Sequence, residues 1–321
     1  IPVQVGVHVM LFLVQILFAS LAIIGKIVLR DFPAASIVLF RVIGAAAVLF
    51  LVNLLWTRRW VTDRKDLGRL AVLGLLGVVL NQTLFLIGLG HTTAINATIL
   101  VTTIPIFTVL YSVLSHREPP SALKFGGIAV AGLGAISLIR PDRLSLAPEL
   151  ALGNLLIVVA MFFYSLYLVH SKAMVLRYGP VAVSAYVMMF SALGTLPLGL
   201  SGLATVDLAA VRPVTWMWVG YIVVFPTIVA YFLNIWALKR VSPNLVAVYI
   251  YLQPLFTALV APAVLAGERV TTRAAIAGAA IFLGLALVIL GETRQQRAGD
   301  VAGFRRQQEG EQHHRDRVER V

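Results

Sequence analysis

Residues 29–33 read LRDFP and residues 176–180 read LRYGP, so Leu29, Arg30 and Pro33 return as Leu176, Arg177 and Pro180, with 180 − 33 = 147. The recurrence extends in both directions. Ser20 and Lys26 return as Ser165 and Lys172 at offsets of 145 and 146; Pro105-Ile106-Phe107 returns as Pro254-Leu255-Phe256 at 149, and Glu118 and Gly134 as Glu268 and Gly284 at 150. An offset that drifts from 145 to 150 across the chain indicates an internal duplication with small insertions.

The duplicated unit is a membrane unit. Of 321 residues 60% are hydrophobic and 12% charged, with a mean hydropathy of +0.92, whereas about 25% of a soluble domain's residues are charged. The net charge of +12 does not indicate a nucleic-acid partner, because the basic residues sit in short loops between apolar runs and not on one water-facing surface. The absence of cysteine excludes disulfides and thiol-ligated metal. The first apolar run is long enough to span a bilayer and, without a basic flank or a small-residue cleavage site, is not expected to be a cleaved leader.

A bilayer core of about 30 Å needs roughly 20 apolar residues per helix. Ten segments qualify: Val7 to Leu29, Ala35 to Trp56, Leu70 to Leu89, Thr92 to Leu114, Leu123 to Ile139, Ala151 to Ser171, Val181 to Leu200, Val214 to Leu238, Pro243 to Leu265 and Arg273 to Leu290. Their length favours helices over the ten-residue alternating strands of a barrel. Counting Lys and Arg on alternate sides sets eleven (Arg58, Arg59, Arg64, Lys65, Arg69, Arg117, Lys124, Lys172, Arg177, Lys239, Arg240) against six (Arg30, Arg140, Arg143, Arg212, Arg269, Arg273). The richer side is expected to be cytoplasmic, with both termini there. Five crossings per copy is an odd number, so the second copy enters from the opposite face and the halves are expected to be inverted, an arrangement common among secondary transporters. The expectation is therefore an all-α integral membrane protein: a first repeat over 7–139, a second, inverted repeat over 151–291, and a charged disordered cytoplasmic tail over 292–321. His313-His314 is read as part of that tail and not as a metal site.

Arg41 early in the second helix, Pro105 and Glu118 of TTIPIFTVLYSVLSHRE, and Pro254 and Glu268 of YLQPLFTALVAPAVLAGE give the chain its resemblance to the EamA-type permeases of the drug/metabolite transporter superfamily. It spans about Val7 to Gly291. The match departs in places: Met188 stands near the counterpart position of Arg41, and His116-Arg117-Glu118 differs from Ala266-Gly267-Glu268. The resemblance implies a carrier of small metabolites, often an exporter, with a central cavity between its halves. The expected setting is a bacterial inner (plasma) membrane.

Polar side chains at membrane depth are costly and usually face a bundle interior or a wet cavity. Gln82 and Phe85 map at 149 onto Tyr231 and Asn234, and the two pairs are expected to face one another. Asn96 and Thr103 share a stripe, as do Tyr249, Gln253 and Thr257, and on the sixth helix Phe163, Tyr167, His170 and Met174. The candidate substrate-binding set is Gln82, Phe85, Asn96, Tyr231, Asn234, Tyr249 and Gln253, against the plainer reading that amides and hydroxyls join helices. Pro105 and Pro254 free the carbonyls of Val101 and Ile250 and are candidate hinges, against simple packing kinks. Arg41 carries either a structural pairing, as with a helix C-terminus, or an anionic group. His170 is read as a satisfied interfacial histidine, against a proton or substrate role. Lys26 and Lys172 are expected to snorkel, and Glu118 and Glu268 to hold their loops. Small residues at Gly127, Ala131 and Ala135, and at Ala274, Gly278, Ala280 and Gly284, permit close helix approach within one chain or in a homodimer.

A channel calls for a charged ring or filter, and an enzyme for a nucleophile with its base or a metal set; the chain displays neither pattern. No cofactor is called for. The expected partners are the bilayer and a small-molecule substrate. With amides, aromatics and no helix-centre carboxylate, amino acids or similar neutral or zwitterionic solutes fit best, ahead of nucleotide sugars, phosphorylated metabolites, drugs or a channel-like facilitator.

Overall fold

The computed structural model describes residues 2–92, 94–138, 148–256 and 276–295, and every long element among them is a helix. We number ten: α1 (Pro2–Val28), α2 (Ala34–Thr57), α3 (Arg64–His91), α4 (Ala94–Val101 and Ile104–Leu114), α5 (Ala122–Leu138), α6 (Pro148–Tyr178), α7 (Pro180–Leu203), α8 (Pro213–Leu238), α9 (243–256) and α10 (Ile276–Gln295). Seven of these are long and apolar enough to cross a membrane by themselves. The other three are α4, which is broken; α5, which is short; and α9, whose expected second half, with Thr257 and Glu268, lies outside the described residues. Arg140, Arg143, Arg269, Arg273 and the chain beyond 295 lie outside them too. Glu292 to Gln295, expected as tail, continue α10, because Glu292 is buried against Lys124.

Local chemistry sets the boundaries. The Asp63 carboxylate accepts from Lys65 N at 2.9 Å to open α3, and the Ser242 hydroxyl accepts from Leu245 N at 3.1 Å to open α9. Pro180, Pro213 and Pro243 each stand in the first turn of a helix, where the missing N–H costs nothing. The LRDFP and LRYGP copies diverge here. In the first, residues 29–33 form the whole turn from α1 to α2. In the second, α6 runs on to Tyr178 and Gly179 alone reverses the chain at φ 84°, a conformation that favours glycine.

Equivalent helices pair. The backbones of α5 and α10 touch: a methyl group on Gly127 would lie 2.6 Å from Gly284 O, and one on Gly134 would lie 2.9 Å from Ala277 O. Under the 150-residue offset these two contacts exchange, and their order along the chain is antiparallel. The small-residue stripes are thus used within one chain. Likewise α2 lies antiparallel on α7: Gly199 meets Leu39, the Ser36 hydroxyl donates to Gly199 O at 3.1 Å, and the Phe50 ring meets Tyr186. Outward, Leu133, Leu193 and Met217 are exposed apolar side chains of the kind that suits lipid.

Candidate functional site: a cavity between the repeats

The remaining six helices, α1, α3 and α4 with their counterparts α6, α8 and α9, line a cavity. Its volume, as space for the centres of water molecules, is about 70 Å³, enough for roughly five waters at the 10–15 Å³ each requires. The lining side chains come largely in equivalent pairs: Phe18 with Tyr164 at an offset of 146, and Gln82 with Tyr231, Val101 with Ile250 and Ile104 with Gln253 at 149. Leu21, Asn81, Phe85 and Met161 complete the wall.

Both walls carry the same irregularity. Leu75–Leu80 in α3 and Val224–Val229 in α8 are π-turns, offset by 224 − 75 = 149. A π-turn inserts a residue, rotates the stretch of helix beyond it, and often marks a functional site. Gln82 and Tyr231 stand just beyond these turns and hydrogen-bond to each other, the Gln82 amide donating to the Tyr231 hydroxyl. Gly77 is required inside the α3 turn: a methyl there would lie 2.3 Å from the Tyr167 ring. The lining helices are broken as well. The backbone of α4 leaves the α-helix at Thr102 and Thr103, ahead of Pro105, and α9 tightens to a 3₁₀ turn at Tyr249–Tyr251, ahead of Pro254. The residues whose carbonyls these prolines free, Val101 and Ile250, both line the cavity.

Arg41 stands behind this wall, 2% exposed. Its Nε donates to Thr227 Oγ1 at 2.8 Å, within the α8 π-turn, and its Nη1 donates to Gln82 Oε1 at 2.5 Å, so one guanidinium joins the α8 turn to the stretch of α3 just beyond its own. Its partners are therefore side chains and not a helix C-terminus. Because a guanidinium only donates, Gln82 must present its oxygen to Arg41 and its NH₂ to Tyr231 and to Asn81 Oδ1, 3.2 Å away. Arg41 Nη2 has no partner among the described residues, and the ion pairs among those residues lie at helix ends and in loops, away from it.

Of the seven substrate-binding candidates, the structure brings four to the cavity: Gln82, Phe85, Tyr231 and Gln253. Asn234 stands one layer back, donating to the Tyr164 hydroxyl at 2.9 Å. Tyr249 pairs with His8. Asn96 joins Thr92 and Asn154, each at 3.1 Å, where α4 meets α6. His170 lies at the end of α6: Arg117 donates to its Nδ1 at 3.2 Å, which leaves Nε2 as the protonated nitrogen toward the Tyr111 hydroxyl at 2.7 Å. The polar residues absent from the sequence-based set are Asn81 and Tyr164 in the wall and, behind it, Gln15, which accepts from Gln253 at 2.8 Å. A polar residue in an apolar run is the signal that marks Gln15 and Asn81 in the sequence.

The lysines expected to snorkel end on backbone carbonyls. Lys26 Nζ donates to Thr92 O at 2.7 Å and Lys172 Nζ to Leu238 O at 2.6 Å; in both cases the partner lies 66 residues on, so the duplication is preserved in a hydrogen bond. Each ammonium meets the carbonyls at a helix C-terminus, the end that attracts cations. Glu118 pairs with Lys124 at 2.9 Å and accepts from Asn244 at 2.6 Å, holding its loop to α5 and α9. Among the described residues no group of three or more His, Asp or Glu could hold a metal ion.

The profile of the EamA-like transporter family matches residues 6–140 and again residues 151–290. An uncharacterized transporter of Archaeoglobus fulgidus is 28% identical over 264 residues, 79% of this chain and 87% of its own. The uncharacterized transporter YetK of Bacillus subtilis is 24% identical, over 82% and 80%, and the uncharacterized inner membrane transporter YedA of Escherichia coli K12 is 26% identical, over 88% and 90%. A crystal structure superposes with a TM-score of 0.71 at 21% identity, covering 90% of this chain and 98% of that one, and shows the shared fold.

Proposed function

The chain belongs to the EamA-like transporter family, a multi-pass membrane transporter built from two copies of the family unit, and on that premise we propose alternating access to the central cavity. The solutes are amino acids or related neutral and zwitterionic metabolites, exported or exchanged. One observation carries the reading: the cavity is lined by three helices from each repeat at equivalent positions, as expected of a site on a pseudo-two-fold axis whose halves rock in turn.

The same reading takes all ten helices as crossings, with the second repeat inverted and both termini cytoplasmic. The antiparallel crossings of α5 on α10 and α2 on α7 support inversion, since repeats related by an axis along the membrane normal would set equivalent helices parallel. The contacts at helix ends support the crossing count. Asp31 with Arg212, Asp66 with Arg177, Glu118 with Asn244, Lys26 with Thr92 and Lys172 with Leu238 are each separated by an even number of helices, so each pair shares a side. Pro105 and Pro254 act as the hinges about which α4 and α9 bend.

The wall's chemistry supports the substrate class. Asn81, Gln82, Tyr164, Tyr231 and Gln253 supply neutral donors and acceptors, and Phe18 and Phe85 supply apolar faces. The test is counterflow into liposomes loaded with an amino-acid panel, alongside nucleotide sugars and sugar phosphates. Saturable amino-acid exchange is expected. Saturable nucleotide-sugar transport without amino-acid counterflow overturns the substrate class, and unsaturable flux overturns the carrier.

A further inference from the structure

The structure carries a buried cation with no anion. Arg41 is charged at any physiological pH, is 2% exposed, and is neutralised by no carboxylate among the described residues. The acids of the whole sequence do not help: none of the 14 lies at the centre of an apolar segment. An unpaired charge at this depth costs several kcal/mol and is retained where it has work to do. Two of its nitrogens are used by Thr227 and Gln82, and Nη2 is unpartnered. Gln82 is both Arg41's acceptor and part of the cavity wall. The charge therefore stands one hydrogen bond behind the cavity, and it fixes the Gln82 amide with its N–H donors turned from Arg41 toward Tyr231.

We propose that the cavity recognises the carboxylate of a monoanionic or zwitterionic solute, held by the Tyr231 hydroxyl, which accepts from Gln82 and whose own proton has only Gly77 O, 3.4 Å away, to compete for it, with Arg41 as the positioning residue that supplies the countercharge through Gln82. This rests on the carrier reading above and gives it polarity: the acid end of the solute faces α2, α3 and α8. A carboxylate brings one negative charge to one unpaired positive charge, so the acid end of the loaded site is close to neutral. A phosphate or diphosphate would leave negative charge in excess. An amine without an acid group would add a second cation. The lysines at the helix ends do not alter this balance, since Lys26 and Lys172 serve helix-end carbonyls and Lys124 serves Glu118 and Glu292.

The experiment compares each of several small carboxylates with its own primary amide, using glycine, alanine, phenylalanine and lactate against glycinamide, alaninamide, phenylalaninamide and lactamide. The purified full chain is reconstituted in liposomes for exchange and held in detergent for ligand-dependent melting. Parent protein is expected to prefer the acid at least tenfold in every pair that it moves. Arg41→Lys keeps the charge and should keep the preference at lower affinity, whereas Arg41→Gln should lose at least tenfold of it. Monodispersity of each variant separates recognition from folding. Equal transport of acids and amides by the parent, or an undiminished preference in a folded Arg41→Gln protein, overturns the carboxylate site and leaves the carrier standing. Movement of no member of any pair overturns both.

Discussion

Replacing Lys124 by Met removes the cation that ties three segments together. Its ammonium lies 2.9 Å from Glu118 and 2.7 Å from Glu292, with 4% of the side chain exposed against 16% and 9% for the acids. At an effective dielectric constant of about 20, each contact is worth roughly 6 kcal/mol before desolvation, and the cost of drying the ions cancels most of it. The substitution leaves two carboxylates facing one another without their cation. Removing one partner of a buried pair costs about 3–5 kcal/mol; the residual exposure of the acids places this case near about 3 kcal/mol. In detergent that corresponds to a loss of about 6–12 °C in melting temperature, taking roughly 2–4 °C per kcal/mol. The triple variant Lys124→Met, Glu118→Gln, Glu292→Gln, which removes the stranded charges, should recover more than half of the loss. A single variant melting within about 1 °C of the parent, or a triple variant melting below the single, refutes the reasoning.

Gly284→Ala places a methyl 2.5 Å from Gly127 O and from the backbone nitrogen of Ala131, so α5 and α10 must part; about 1–3 kcal/mol of stability should be lost. Gly126→Ala, which meets nothing within 4 Å, should melt like the parent or slightly higher. Lys172→Met should be more damaging than Lys26→Met by about 1–2 kcal/mol in thermal melts, because Lys172 serves Val241 O at 2.7 Å as well as Leu238 O while Lys26 serves one carbonyl. Hydrogen bonds from Thr215 and then from Arg212 hold the Asp31 carboxyl below its ordinary value of 3.8. A depressed folded pKa means that the contact's contribution is complete above that ordinary value and disappears as pH falls through the lower, folded one. Melts at falling pH should therefore bring the parent toward Asp31→Asn below about pH 4, with a constant difference between the two above pH 5.

The features legible in the sequence are those that leave a periodic trace. Helix length against bilayer thickness makes the segments legible, and the offset from LRDFP to LRYGP, carried through Lys26 and Lys172, makes the duplication legible. That offset also brings Gln82 opposite Tyr231. The π-turns leave no such trace, because Leu75–Leu80 and Val224–Val229 have no composition that separates them from ordinary apolar helix. Each rotates the residues beyond it, so a stripe drawn at 3.6 residues per turn passes through the turn on the wrong face. The stripe also places Asn96 on the wall, whereas it stands five residues before Val101, on another face of the same helical segment, and turns to Thr92 and Asn154. The role of Arg41 depends on Thr227 and Gln82, 186 and 41 residues away, and such meetings are set by packing.

On the carrier reading, one cavity opens to each side of the membrane in turn. The chain has no cysteine, so a single Val101→Cys substitution places the molecule's one thiol in the cavity wall. Labelling by a membrane-impermeant maleimide, compared between right-side-out and inverted vesicles, reads its access directly. Labelling is expected from both sides, slowed from both by an excess of a transported amino acid. Labelling from one side alone, unchanged by any such solute, would contradict it.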